Sequence, residues 1–158
     1  MENICRAAKD IVDRFPDIHV IYPVHLNAAV RNIVFPILGN HERIHLIDPV
    51  DVADMHNLIS KCFFVMTDSG GLQEEAPSLG SPVLVLRTET ERPEAVAAGT
   101  AMLAGVEQET IYHAAKALIT DGHKYSKMTK AVNPYGDGHA SERIAQAIMA
   151  QFSKHFNI

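Results

Sequence analysis

A chain of 158 residues, 47% hydrophobic and 21% charged, is long enough for one domain with a buried core and too apolar to be disordered over most of its length. Its formal net charge of -5 argues against nucleic-acid binding, because a phosphate backbone demands a basic surface. No apolar run approaches the roughly 20 residues that span a bilayer, and the first residues lack a signal peptide's basic and then apolar segments. Cys5 and Cys62 are far apart, without metal or redox spacing, which suits a reduced, cytoplasmic protein with two buried thiols.

The chain opens inside a helical pattern, with Ile4, Ala7, Ala8, Ile11 and Phe15 on one stripe. So abrupt an opening suggests a start within a larger protein. Apolar runs of strand length then recur at Ile18 to Val24, Ile44 to Ile47, Phe63 to Thr67, Pro82 to Leu86 and Thr100 to Leu103. Helix-like stretches from Asn27 to Leu38, Asp51 to Ser60, Gly71 to Ser78 and Arg92 to Ala98 lie between them, with Pro36 expected to bend or shorten the first. Two more follow, from Glu107 to Ile119 and from His139 to about Phe152, separated by a loop around Asn133 to Gly138. The last carries Ile144, Ile148 and Phe152 at four-residue spacing.

Phe63-Phe64-Val65-Met66 and Val83-Leu84-Val85-Leu86 show no polar alternation. Parallel strands covered by helices on both faces read this way, so the pattern predicts an α/β domain with a Rossmann-like, doubly wound parallel sheet. Without a repeat or a linker rich in Pro, Gly or Ser, residues 1–158 read as one domain.

The most informative segment is Phe63-Phe64-Val65-Met66-Thr67-Asp68-Ser69-Gly70-Gly71-Leu72-Gln73-Glu74-Glu75, a buried strand followed by a tight turn and a helix. At the carboxyl end of a parallel strand, such a turn brings backbone N–H groups close to a ligand, and the positive end of the following helix favours a diphosphate. Ser69 adds a hydroxyl donor. Glu75 lies about one helical turn beyond Gly71, where a carboxylate can accept both hydroxyls of a ribose. Read alone, the segment equally suits a cap in which Asp68 or Ser69 accepts helix N–H groups and the glycines only permit the turn. Glu74 and Glu75 equally suit charge placed favourably at a helix N-terminus.

Two matches mislead. Asp-Ser-Gly-Gly resembles the nucleophile segment of trypsin-like proteases, but those are β-barrels, usually disulfide-linked, whereas Ser69 sits in a strand-turn-helix unit. His41-Glu42-Arg43-Ile44-His45 has the letters of a zinc-protease helix, but Gly39-Asn40 stops the preceding helix and Ile44 begins a strand. In a strand, His41 and His45 lie about 13 Å apart, too far to share a metal.

Two further segments can converge on the same crevice. His25 follows a strand and precedes a helix, so its imidazole can reach a phosphate or sugar hydroxyl, or serve as a capping or surface histidine. Arg92 lies in the polar loop Arg87 to Pro93 and can meet an anion, or belong to a solvated charged loop.

Taken in order, Tyr22-Pro23-Val24-His25-Leu26-Asn27, Asp51 to Leu58, Thr67 to Pro77, Thr90-Glu91-Arg92-Pro93-Glu94 and Asn133 to Arg143 resemble the non-hydrolysing bacterial UDP-N-acetylglucosamine 2-epimerases over nearly the full chain. The resemblance implies the C-terminal, Rossmann-like domain of a two-domain GT-B enzyme whose cleft lies between domains. It assigns Ser69, Gly70 and Gly71 to the diphosphate, Glu75 to the ribose, His25 to the nucleotide and Arg92 to the cleft. The uracil would lie against the loop from Asp48 to Met55. The sequence departs from relatives at Ala28, where proline is common, and at Met55, where an aromatic is frequent.

The implied ligands are UDP-GlcNAc and UDP, the implied reaction is inversion at C2 by UDP elimination and re-addition, and no redox cofactor or metal is implied. The family's acid-base carboxylates belong to the N-terminal domain, so no catalytic residue is expected here and this polypeptide alone should not epimerise. The family also implies a homodimer when full length and a role in cell-envelope polysaccharide precursors. A GT-B glycosyltransferase nucleotide domain and a stand-alone, non-catalytic UDP-sugar-binding module are the alternatives.

Overall fold

The computed structural model describes residues 1–156. Helices and strands alternate as α1 (Glu2–Arg14), β1 (Val20–Pro23), α2 (Ala28–Leu38), β2 (Ile44–Ile47), α3 (Val52–Ile59), β3 (Val65–Thr67), α4 (Gly70–Ser78), β4 (Val83–Val85), α5 (Pro93–Ala98) and β5 (Ala101–Leu103). The chain then continues only in helices: α6 (Gln108–Thr120), α7 (Gly122–Thr129) and α8 (Ala140–Phe156). All strand pairs are parallel. Val20 stands opposite Ile44 in the β1-β2 ladder, and Val83 of the central strand β4 stands opposite both Val65 and Ala101. The expected α/β architecture is present, with its strands in two hydrogen-bonded ladders, β1-β2 and β3-β4-β5.

The unbroken apolar run in β4 has a direct cause. Leu84 and Leu86 pack against Ala7 and Ile11 of α1 and against Ile111, Ala115 and Leu118 of α6. Val83 and Val85 face the other way, onto Ile59 of α3, Ala76 of α4 and Ala95 of α5. Val83, Leu84 and Val85 are each 0% exposed, so neither face of this strand has room for a polar residue. Helix α1 serves both ladders. Its Cys5 and Val12 join Val24, Val34, Leu38 and Ile44 in a separate cluster over β1 and β2.

Local sequence explains the helix ends nearest the site. Asn27 caps α2 by accepting from the Ala29 N–H at 2.9 Å, and Ala28 occupies the first helical position, where proline is also tolerated. Asp51 caps α3 from the Asp54 N–H. Gly99 ends α5 in the left-handed region at φ 81°, a conformation costly for any residue with a Cβ.

Helix α2 reaches Leu38 as expected, with Pro36 exposed in its last turn and Gly39 donating to Phe35 O at 2.9 Å. Two points need correction. Helix α7 was not foreseen; its start is set by Asp121, whose carboxylate accepts from the His123 and Lys124 N–H groups. Cys5 is buried, but Cys62 is only partly so, although burial raises both thiols above the usual range. Among the described residues, no helix is long and apolar enough to cross a membrane.

Candidate nucleotide-binding site

The site is built at the carboxyl ends of β1, β3 and β4. The Thr67 hydroxyl, at the buried end of β3, accepts the Ser69 N–H at 3.0 Å and bends the chain into α4. Ser69 stands at the N-cap position, yet its side chain makes no capping hydrogen bond. The hydroxyl is therefore not spent on the helix, and the capping explanation of Ser69 does not describe this structure. The first N–H groups of a helix have no intrahelical acceptor.

Gly70 and Gly71 are equally telling. The chain's positive-φ glycines are Gly80, Gly99, Gly105, Gly136 and Gly138, so neither Gly70 nor Gly71 answers a backbone demand. A Cβ built on Gly70 would lie 3.8 Å from the Arg92 guanidinium, and one on Gly71 would lie 3.7 Å from the Glu75 carboxylate and 3.9 Å from the Ser69 hydroxyl. These are ordinary contacts that the fold itself could absorb. The absent side chains leave bare backbone between a hydroxyl, a carboxylate and a guanidinium.

Arg92 reaches this point from the cap of α5. Its guanidinium is ion-paired with Glu74 of α4, and that hydrogen bond raises the already high arginine pKa further. Tyr135 supports the same corner: its hydroxyl accepts the Ala95 N–H at 3.2 Å and lies 3.5 Å from the Arg92 carbonyl. Asn133 donates to the Glu74 carbonyl at 3.3 Å. The segment after α7 thus braces both α4 and α5.

Glu75 is exposed and meets His56 of α3, with Nε2 3.1 Å from its carboxylate. His25 is exposed on the loop after β1, and its Nδ1 accepts the Asn27 N–H at 3.1 Å. That bond makes Nε2 the protonated nitrogen of the neutral ring and hence a donor. Tyr22, three residues earlier, feels the Asp68 carboxylate; burial first, then Cys5 and Asp68, raise its phenol. The five positions Ser69, Gly70, Gly71, Glu75 and Arg92 form the tight group, and His25 stands apart from it on the loop after β1. Beyond β2, Arg31 of α2 is ion-paired with Asp48 and anchors the loop that precedes α3.

The sequence places Glu74 only as helix N-terminal charge and does not single out His56, Asn133 or Tyr135, because their importance lies in contacts across the fold. The zinc-like histidines part company: His41 Nε2 lies 3.1 Å from Asp13, and His45 Nε2 lies 3.2 Å from His19 Nδ1. Among the described residues, no cluster of three or more His, Cys, Asp or Glu side chains is arranged to hold a metal.

The chain has close relatives. The family model described as UDP-N-acetylglucosamine 2-epimerase matches residues 1–149. The chain belongs to that family. It is 63% identical over 152 residues to a Thermotoga maritima member and 54% identical over 152 residues to the UDP-N-acetylglucosamine 2-epimerase of Bacillus subtilis, in each case over 96% of this chain and 40% of the relative. The S. aureus MnaA structure solved with UDP superposes with a TM-score of 0.92 at 51% identity, over 96% of this chain and 42% of that one. The Neisseria meningitidis UDP-GlcNAc 2-epimerase bound to UDP-GlcNAc gives 0.90 at 42% identity, over 94% and 40%. This epimerase-family chain therefore spans well under half the length of the relatives it matches.

Proposed function

We propose that this chain is the C-terminal, nucleotide-holding domain of a UDP-GlcNAc 2-epimerase and that its own task is to grip the UDP part of the substrate. The observation that carries the reading is the convergence of the Ser69 hydroxyl, Glu75 and Arg92 on the bare Gly70-Gly71 backbone. In the implied reaction a base removes the C2 proton, its electrons form a C1=C2 double bond, and the C1–O bond breaks with its pair going to UDP. Re-addition reverses these steps with the proton delivered to the opposite face of C2. UDP must be retained as an anion in between. The N-terminal end of α4, the Ser69 hydroxyl, the Nε2–H of His25 and the Arg92 guanidinium supply donors or positive charge to it. Glu75 is placed to accept ribose hydroxyls.

Acid-base groups for C2 lie outside this chain on this reading, so purified chain should bind UDP weakly and not interconvert UDP-GlcNAc and UDP-ManNAc. We also assign the whole protein to the cytoplasm as a homodimer, which light scattering on the full-length form tests. The decisive measurement is calorimetric titration with UDP beside Ser69→Ala and Glu75→Ala. Each should lose about 1.5 to 3 kcal/mol, the worth of a charge-assisted hydrogen bond. Unchanged affinity in both variants would remove the site, and turnover by the isolated chain would overturn the division of labour.

A further inference from the structure

Gln73 is a polar side chain buried to 1% exposure on α4, and burial of an amide demands that its hydrogen bonds be made. Its Nε2 donates to the Ser69 carbonyl at 3.2 Å. Its Oε1 accepts from the Thr90 hydroxyl at 2.6 Å, and that hydroxyl in turn accepts the Arg92 N–H at 3.0 Å. Chemistry fixes every direction in this chain. The Arg92 amide can only donate, so the Thr90 hydrogen is free for Gln73; the Ser69 carbonyl can only accept, so it must face the Gln73 NH2.

We propose that Gln73 is a positioning residue that couples the two halves of the phosphate cradle, the Ser69-Gly70-Gly71 turn and the Arg92 loop; this rests on the nucleotide site proposed above. In a trans peptide the C=O and the next N–H point in opposite directions. Holding the Ser69 carbonyl toward Gln73 therefore aims the Gly70 N–H away from the helix body, off its N-terminal end. At the other end, Thr90 fixes the backbone of Arg92, whose guanidinium reaches Gly70. One buried amide thus sets the spacing between backbone donors and a cation that meet the same anion. The Ser69 carbonyl also accepts the Gln73 backbone N–H at 3.3 Å, so α4 itself survives loss of the side-chain bonds.

The test uses the 158-residue chain with UDP and with uridine, which lacks the diphosphate, followed by NMR titration of Gln73→Met, Thr90→Val, Thr90→Ser and Ser69→Ala. Gln73→Met and Thr90→Val should each weaken UDP about tenfold, the upper range for one lost hydrogen bond, while uridine changes less than about twofold. The two changes combined should be no worse than the more severe one, because they cut the same relay, and Thr90→Ser, which keeps the hydroxyl, should restore UDP affinity. Parallel weakening of UDP and uridine would mean general loosening and would overturn the proposal. So would unchanged UDP affinity in Gln73→Met and Thr90→Val alongside a weakened Ser69→Ala, an outcome that leaves the nucleotide site standing. If Gln73→Met fails to fold, the Thr90→Val and Thr90→Ser pair carries the same comparison.

Discussion

The two parallel ladders are finished to different degrees. β3-β4-β5 is packed by helices on both faces, with β4 wholly inaccessible. In β1-β2, Val20, Tyr22, Ile44 and Leu46 pack into a helix-lined cluster, while Ile21 remains 46% exposed and His19 and His45 meet in the open. The candidate site straddles this divide. Ser69, Glu75 and Arg92 stand on the elements around the doubly covered ladder; Gln73 and Glu74 tie α4 to the Arg92 loop, Tyr135 meets that loop at the Arg92 carbonyl, and His56 meets Glu75. His25 comes from the other ladder and is held locally by Asn27. Groups that must keep their spacing around a charged ligand gain most from a rigid scaffold, and here the more cross-linked group stands beside the fully buried strand β4.

The largest expected effect breaks that contrast directly. Leu84→Ala removes a side chain with 0% exposure and should cost about 2 to 5 kcal/mol in urea unfolding. Ile21→Ala, on the open face of β1, should cost less than about 1 kcal/mol. Equal costs would mean that β1-β2 is as fully covered as β4.

A smaller effect concerns the junction between the ladders. Burial, Cys5 and Asp68 raise Tyr22 above the ordinary tyrosine value of 10.0. The folded state then holds the phenolic proton more tightly than the unfolded chain. Stability is accordingly undiminished below pH 10 and falls as pH rises through the raised folded value. Tyr22→Phe should flatten that alkaline fall relative to the parent chain in thermal melts across the range. An unchanged slope would place Tyr22 in a more watery setting than the structure does.

How much of this was legible beforehand follows from the range of each interaction. The run Val83 to Leu86 announced a buried parallel strand because burial on both faces leaves its mark at every position. Ser69, Gly70, Gly71 and Glu75 lie within seven residues of one another, so strand-turn-helix logic could group them, but it could not decide between cap and ligand site. The unspent Ser69 hydroxyl and the ordinary φ of the two glycines, which support the proposed ligand site, emerge only in the folded structure. Gln73 was overlooked because a glutamine on a short helix looks like surface; only the approach of Thr90, 17 positions away, makes it interior. The start of helix α7 is set locally, by the Asp121 carboxylate accepting from the His123 and Lys124 N–H groups, and not by an apolar stripe of the kind that marks α6.

The smallest expected effect lies in α8, where periodicity and environment diverge. Ile144 and Ile148 recur at helical spacing as a buried stripe would, yet they are 60% and 50% exposed, and Met149 beside them is 66% exposed. Hydrophobic spacing fixes which residues share a face of the helix, but stabilisation comes only from area actually removed from water. Ile144→Ser and Ile148→Ser should therefore shift the unfolding free energy of this chain by no more than about 0.5 kcal/mol each. A loss near that of Leu84→Ala would show that the face is covered in solution, and the contrast between finished and unfinished parts of the molecule would then shrink to the open side of β1-β2.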